Sequence, residues 1–165
     1  MSATATDLAT EFKTAFREHP AGIALITAAG DEGPVGLTAS SVASVSVDPP
    51  ALVFSVTRAT GSAGLLLAAD SLLVHLLDAR HAAIAQEFAV TGGERFTAEQ
   101  GWETLPTGEP HLVGVRAALR CRGIETVPVG SSMLVVAEVL DVRVGDRAEP
   151  MIYVDRTFRR TGGPL

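Results

Sequence analysis

From Gly22 to Val56 the chain repeats one pattern, in which short runs of apolar and β-branched residues are each broken by glycine, proline or an acidic turn. Gly22-Ile23-Ala24-Leu25-Ile26-Thr27 meets a turn at Gly30-Asp31-Glu32-Gly33 and continues as Val35-Gly36-Leu37-Thr38, which predicts a hairpin. Val45, Val47 and then Ala51–Val56 extend the strand pattern on either side of Pro49-Pro50. The last third returns to it over Leu112–Val127, Met133–Val144 and Met151–Tyr153. Within Leu112–Val127 the period of two places Val115, Ala117, Leu119 and Cys121 on one face and Arg116, Arg120 and Arg122 nearby on the other. Another strand is read at Leu72–Leu77.

Helices are few. Leu8, Phe12 and Phe16 recur at helical spacing, with Thr6 or Asp7 as N-cap and Pro20 closing the segment. Thr60–Ala69 reads as a second helix, and Asp78 caps a third whose apolar side is Ala82, Ile84, Ala85 and Phe88. Residues 90–111, rich in Gly, Thr, Glu and Pro, read as a surface excursion with one short helix around Thr97–Trp102. The βαβ rhythm of a doubly wound sheet is missing, so the expectation is a mainly β chain, an antiparallel barrel with peripheral helices, with residues 1–165 as one domain.

Composition narrows the function classes. Hydrophobic residues make up 47% and charged residues 19%, enough to build a core. With one Trp and one Tyr that core is poor in aromatic surface, which a flat bound ligand would supply. A formal net charge of -6 with scattered Lys and Arg leaves no footprint for nucleic acid. No apolar run is long enough to cross a bilayer, and Met1–Phe16 is polar and amphipathic, so no membrane association and a cytoplasmic location are expected. Cys121 is alone, which excludes an internal disulfide, and His19, His75, His81 and His111 lack metal-ligand spacing, so no metal site is expected. Neither G-x-G-x-x-G nor a phosphate-binding Gly-Lys-Ser/Thr run is present; a nucleotide must be held another way.

Two clusters could carry chemistry. Thr38-Ala39-Ser40-Ser41 places small residues and hydroxyls at a strand end, where a planar ring can approach the backbone and bond at its polar edge. The same residues also describe an ordinary Ser/Thr loop. Ser55-Val56-Thr57-Arg58-Ala59-Thr60-Gly61-Ser62 runs from a strand end into a helix start, joining amides, hydroxyls and one guanidinium as a phosphate monoester requires. A capped helix with a solvated arginine is the other reading.

The order Pro20-Ala21-Gly22-Ile23-Ala24-Leu25-Ile26-Thr27, followed by Gly36-Leu37-Thr38-Ala39-Ser40-Ser41-Val42-Ala43-Ser44-Val45-Ser46-Val47-Asp48-Pro49-Pro50, resembles the opening of the flavin reductase family. The similarity continues through Leu73-Val74-His75-Leu76-Leu77, Gln86-Glu87-Phe88-Ala89 and Glu94-Arg95-Phe96. It implies an FMN-binding split β-barrel that works as a homodimer with flavin at the subunit interface. The implied activity is NAD(P)H-dependent reduction of FMN or FAD, with NADH or NADPH as donor and a separate monooxygenase receiving the reduced flavin.

Carried over by position, Thr38, Ala39, Ser40 and Ser41 would contact the isoalloxazine edge and ribityl chain. Thr57, Arg58, Thr60 and Ser62 would hold the phosphate, Ser55 and Val56 would also contact the cofactor, and Phe88 and Ala89 would line the pocket. The nicotinamide side would take Ser132, Tyr153 and Phe158, and no protein group is assigned as catalytic, since the flavin carries the chemistry. His75 stands where relatives often carry Asn and reads as a satisfied core histidine. Two segments depart from the family. Gly130-Ser131-Ser132 replaces a Gly-Asp-His, and Tyr153-Val154-Asp155-Arg156-Thr157-Phe158 replaces Tyr-His-Arg-Gly-x-Tyr. Both belong to the nicotinamide side, so the alternative is a flavin-binding split-barrel protein that no longer uses a nicotinamide.

Overall fold

The computed structural model describes residues 5–58 and 60–162, so the N-terminal segment is described from Ala5 onward, and residues 1–4, 59 and 163–165 lie outside the described residues. In chain order the elements are α1 (Ala5–Arg17), β1 (Ala21–Gly22), β2 (Ala24–Gly30), β3 (Gly33–Ala39), β4 (Ala43–Val47) and β5 (Pro50–Thr57). Then come α2 (Ser62–Ala68), β6 (Leu72–Leu76), α3 (Ala82–Ala89), β7 (Trp102–Thr104) and β8 (Pro110–Leu112). The chain closes with β9 (Ala117–Val129), β10 (Ser132–Val144), β11 (Met151–Val154) and β12 (Thr157–Arg160). Thr6 and Asp7 lie inside α1 rather than capping it.

The main sheet has the order β3-β2-β6-β9-β10-β5-β4, with every pairing antiparallel. β3 at one edge returns toward β5 beside the other edge without pairing to it, so the sheet curls into a split barrel and stays open. Small sheets β1-β11-β12 and β7-β8 attach outside. The central strands are covered on both faces. Ala24 and Ile26 of β2, Leu72 and Val74 of β6, and Phe54, Val135 and Cys121 fill the barrel, where Leu66 of α2 joins them. Leu25 and Leu73 point the other way, onto Phe88 of α3, Leu112 of β8 and Met151 of β11. Two-sided burial explains why Ile23–Ile26 and Leu72–Leu77 are continuous apolar runs rather than alternating ones.

His75 joins these layers from β6. Its Nδ1 lies 2.9 Å from the Leu25 carbonyl and its Nε2 accepts from the Leu112 amide at 3.1 Å, which fixes a neutral imidazole protonated on Nδ1. Burial pushes its pKa down to about 3; the Leu25 bond opposes this, and His111 and His81 add to it.

Residues 90–111 are not a surface excursion throughout. A short 3₁₀ turn, Ala98–Gln100, leads into the β7–β8 hairpin, which buries Leu105 and Leu112. The polar composition misleads because Glu109, 1% exposed, is supplied with partners: Ser71 and Thr107 hydroxyls and Arg120 Nε at 2.6 Å. Burial opposes its ionisation, but those hydrogen bonds outweigh burial and hold the carboxyl below its usual range. The alternation over Leu112–Val127 is corrected for the same reason. The strand is interrupted between β8 and β9, so that Leu119 and Cys121 share the barrel face as expected, whereas Val115 packs in the other core, and Arg120 pairs with Glu109.

The unfolded His75 titrates near 6.5 and the folded one near 3, so its contribution is complete above pH 6.5 and is lost as pH falls through that window. His75→Asn removes the titration. Urea midpoints measured at pH 7 and pH 5 should therefore differ less in the variant, by about 2 kcal/mol of unfolding free energy. An unchanged difference would show that His75 is not the group responsible.

Candidate functional site

Both hydroxyl clusters lie at strand ends on one side of the barrel. Thr38 closes β3, and its Oγ1 donates to the Ala85 carbonyl of α3 at 2.6 Å, tying the strand to the helix that covers it. Ala39 turns into the barrel core. Ser41 Oγ accepts from the Ser55 amide at 2.9 Å and donates to the Ser55 carbonyl at 3.2 Å. One hydroxyl thus splices the loop after β3 to the exposed edge of β5 and brings the clusters together. Among the hydroxyls of the first cluster, Thr38 and Ser41 serve the scaffold, while exposed Ser40 faces open space.

Beyond Ser55, Val56 is core, whereas Thr57, Arg58 and Thr60 are exposed. Arg58 adopts φ 56, with its amide bonded to the Ser131 carbonyl at 2.9 Å and its carbonyl bonded by the Thr60 amide at 2.7 Å. This tight turn presents the guanidinium outward, and among the described residues no carboxylate pairs with it. α2 is only one seven-residue helix, capped at Gly61 by no side chain, so the limb relies on side chains more than on a helix dipole.

Arg95 belongs to this limb and was missed from sequence. Its Nη1 donates to Ser62 Oγ at 3.0 Å and to the Gly36 carbonyl at 3.2 Å, and its Nη2 donates to the Val90 carbonyl at 2.9 Å. Nε is buried without a partner, and the guanidinium lies 5.5 Å over the Phe88 ring. Because Ser62 accepts from Arg95, its own proton is free to be donated outward. Glu94-Arg95-Phe96 shows no local pattern that would single out the arginine; only the fold brings it back to Ser62.

Phe88 itself is 2% exposed and packs on Phe96, with ring centroids 5.0 Å apart. A Cβ on Gly36 would lie 2.8 Å from the Phe88 ring, so glycine is needed for strand and helix to meet there. The next residue, Ala89, is the one at the surface. It lines a cavity of about 310 Å³ with Thr38, Ser40, Gln86, Tyr153 and Phe158. Gln86 was another omission, since a helical glutamine in sequence is indistinguishable from a solvated one. Tyr153 and Phe158 are cross-strand partners on β11 and β12 with ring centroids 5.2 Å apart. Ser132 is not with them: it pairs with Thr57 across β10 and β5. The structure therefore joins Tyr153 and Phe158 to the Thr38–Ser40 cavity and puts Ser132 at the Thr57–Arg58 end.

Cys121 is buried, which pushes its thiol up to about 12, and no metal-ligating cluster occurs among the described residues. No helix among them is long and apolar enough to cross a membrane.

These features define an open antiparallel split barrel with a cavity of about 310 Å³ at its strand ends. A family profile described as "Flavin reductase like domain" matches residues 16–162. The NADH:FMN oxidoreductase of Rhodococcus erythropolis is 36% identical over 154 residues, covering 91% of this chain and 80% of that protein. The reductase component of an FADH(2)-dependent resorcinol hydroxylase from Rhizobium sp. is 30% identical, covering 89% of this chain and 84% of that one. A crystal structure of a flavin reductase domain protein from Arthrobacter sp. FB24 superposes with TM-score 0.87 at 30% identity, covering 95% of this chain and 97% of that one. The chain belongs to the flavin reductase-like family.

The division of hydroxyls is testable on stability alone. Thr38→Val leaves the Ala85 carbonyl without its donor and should cost about 1 kcal/mol, lowering Tm by about 2–4 °C. Ser40→Ala should leave Tm where it is. Calorimetry showing equal losses would mean that Ser40 is also part of the scaffold.

Proposed function

We propose that the protein is a homodimeric NAD(P)H:flavin oxidoreductase that supplies reduced FMN or FAD to a separate monooxygenase. The observation that carries this reading is the Ser41–Ser55 splice, which ties the loop that follows the Thr38–Ser40 cavity to the strand that leads into Arg58 and Ser62. The residues present fit a flavin: the Ser40 hydroxyl is free at the cavity, Tyr153 and Phe158 offer ring faces, and Arg95 carries an unsatisfied buried Nε behind Ser62. The family names of relatives, an NADH:FMN oxidoreductase and a hydroxylase reductase component, support both the activity and the partner.

When bound, the flavin supplies the hydride acceptor. The protein's share is placement. Arg58 and the outward proton of Ser62 bind the phosphate, with Arg95 orienting Ser62. Ser40 and the backbone around it meet the polar edge of the ring, while Thr38 and Ser41 hold that loop against α3 and β5. Ala89 leaves room for a plane that a larger side chain would fill, and Tyr153 and Phe158 restrict water on the open side. No acid or base is required of the chain, and the buried His75 stays neutral and structural.

Dimerisation is supported by apolar side chains on strand surfaces: Val47 is 89% exposed, Val129 61% and Val144 81%. Single exposed apolar residues are ordinary, but exposed valines recur on β4, β9 and β10, and a second copy packed on these strands would cover them. Light scattering at micromolar concentration should give twice the chain mass, and a monomer with flavin bound would refute the assembly.

The reductase reading is tested by adding NADH or NADPH to the yellow protein under anaerobic conditions. Bleaching is expected; a protein that stays yellow with both donors would be a flavin binder and not a reductase. Arg58→Ala should weaken FMN by about tenfold to a hundredfold, the equivalent of one charge-assisted hydrogen bond, and leave riboflavin nearly unaffected. Equal losses for the two ligands would return Arg58 to the status of a solvated side chain.

A further inference from the structure

At the end of the β2–β3 hairpin remote from Thr38 and Ser40 lies a separate cavity of about 430 Å³. The β2–β3 register runs from Ala24 opposite Ala39 to Gly30 opposite Gly33, so about 20 Å of strand separates the two sites. One wall is the turn of that hairpin, with Ala29, Gly30 and Gly33, and the other is the β7–β8 hairpin, with Glu103 and Gly108. Thr27 Oγ1 donates to the Pro110 carbonyl at 2.7 Å and joins β2 to β8 beside the gap.

The remaining lining is aromatic. Phe96 and Trp102 are both half-buried there, with ring centroids 4.8 Å apart. The Trp102 indole N–H donates to Gln100 Oε1 at 2.8 Å, and the Thr97 amide donates to the same oxygen at 3.1 Å. The polar edge of the indole is therefore satisfied, and its ring face is what remains to be offered. Phe96 keeps its place at φ 57, an outlier for a bulky residue.

Charge at this cavity has one sign. Glu103 Oε1 lies 2.7 Å from His111 Nδ1, which orients the carboxylate, and its second oxygen has no partner among the described residues. Asp31 and Glu32 form the exposed turn between Gly30 and Gly33, and among the described residues neither is in an ion pair. No described Lys or Arg lines the cavity, and Arg95, next to Phe96 in sequence, is engaged at Ser62, Gly36 and Val90. Ring faces beside an oriented carboxylate suit a guanidinium, which stacks flat on an aromatic ring and pairs with a carboxylate at its edge.

We propose that this cavity is a docking site for an arginine side chain of a protein partner. The arginine lies over Phe96 and Trp102 and pairs with Glu103, while Asp31 and Glu32 attract the basic segment that carries it. A partner held here leaves the Thr38–Ser40 cavity open, because the two lie at opposite ends of the hairpin. The inference concerns a second site and stands whether or not the protein reduces flavin.

The test follows the indole N–H resonance of Trp102, the chain's one tryptophan, in flavin-loaded protein. The probe is the peptide Gly-Arg-Gly, blocked at both ends, compared with the same peptide carrying citrulline, which keeps the shape and loses the charge. The arginine peptide should shift the resonance with a Kd in the millimolar range, and the citrulline peptide should bind about tenfold more weakly. Glu103→Gln, which can still bond to His111, should weaken the arginine peptide about tenfold. Asp31→Asn combined with Glu32→Gln should weaken it severalfold and flatten its dependence on salt. An unliganded indole resonance at its parental position shows that each variant is folded. Equal binding of the two peptides, full affinity in Glu103→Gln, or no shift at tens of millimolar peptide overturns the site. Free arginine should bind more weakly than the blocked peptide, since its α-carboxylate meets the acidic turn; free arginine binding as tightly overturns the protein partner. Bleaching by NADH should be unchanged at saturating peptide, and inhibition would put the peptide in the flavin groove and overturn the separate site. If the protein bleaches with neither donor, the reductase reading fails and the indole titration still decides the docking site.

Discussion

Burial of β2 and β6 on both faces is the constraint on which the molecule depends. A strand covered on one side can be adjusted by sliding, but one covered on both sides is fixed in register, because a one-residue slip would exchange its two sets of core side chains. His75 enforces that register chemically. It reads the Leu25 carbonyl on the neighbouring strand and the Leu112 amide in the outer hairpin, and it can do both only as one neutral tautomer. With the central strands fixed, their ends are fixed too, and the groove lies at those ends. A ligand site that relies on hydroxyls and backbone groups needs this, since such groups bind well only where they are held in place.

The fold was legible where local chemistry decides it. The Gly30–Gly33 turn and the strands around Pro49-Pro50 follow from residues within a few positions of one another, whereas Asp78 caps the 3₁₀ turn Ala79–His81 that leads into α3, accepting from the Arg80 amide at 2.9 Å, and not α3 itself. The errors came where distant partners reverse the local signal. Glu109 looked like solvent because its partners, Ser71 and Arg120, are far off in sequence. Arg95 looked like one arginine among several for the same reason. The clusters at Thr38–Ser41 and Ser55–Ser62 were visible as composition, but the Ser41–Ser55 bond that joins them is a tertiary fact. So is the separation of Ser132 from Tyr153 and Phe158, which sequence order alone could not show.

Folding and binding also divide the same residue type between them. Thr38 and Ser41 spend their protons on α3 and β5, and this frees Ser40 from any structural duty. Ser62 is intermediate: by accepting from Arg95 it gains an orientation and keeps its donor. A hydroxyl that both accepts and donates within the protein is a brace, whereas one that only accepts is a positioned donor. By that rule the structure, rather than the number of Ser and Thr residues, states how many groups remain for a ligand.

The arginines obey a parallel rule. Half of those described are paired with carboxylates, as at Arg80–Asp78, Arg120–Glu109 and Arg122–Glu138. Arg58 and Arg156 are not, and both occupy left-handed backbone, at φ 56 and φ 58. A non-glycine residue there costs about 1 kcal/mol or more, and an unpaired surface guanidinium returns nothing to folding. Stability alone would place glycine at both turns. Strain that folding does not repay is found where a side chain must be presented to something else. Arg58 stands just before α2 and Arg156 lines the cavity beside α1, so under the proposed function binding of an anion would offset the strain that folding leaves unrepaid at Arg58.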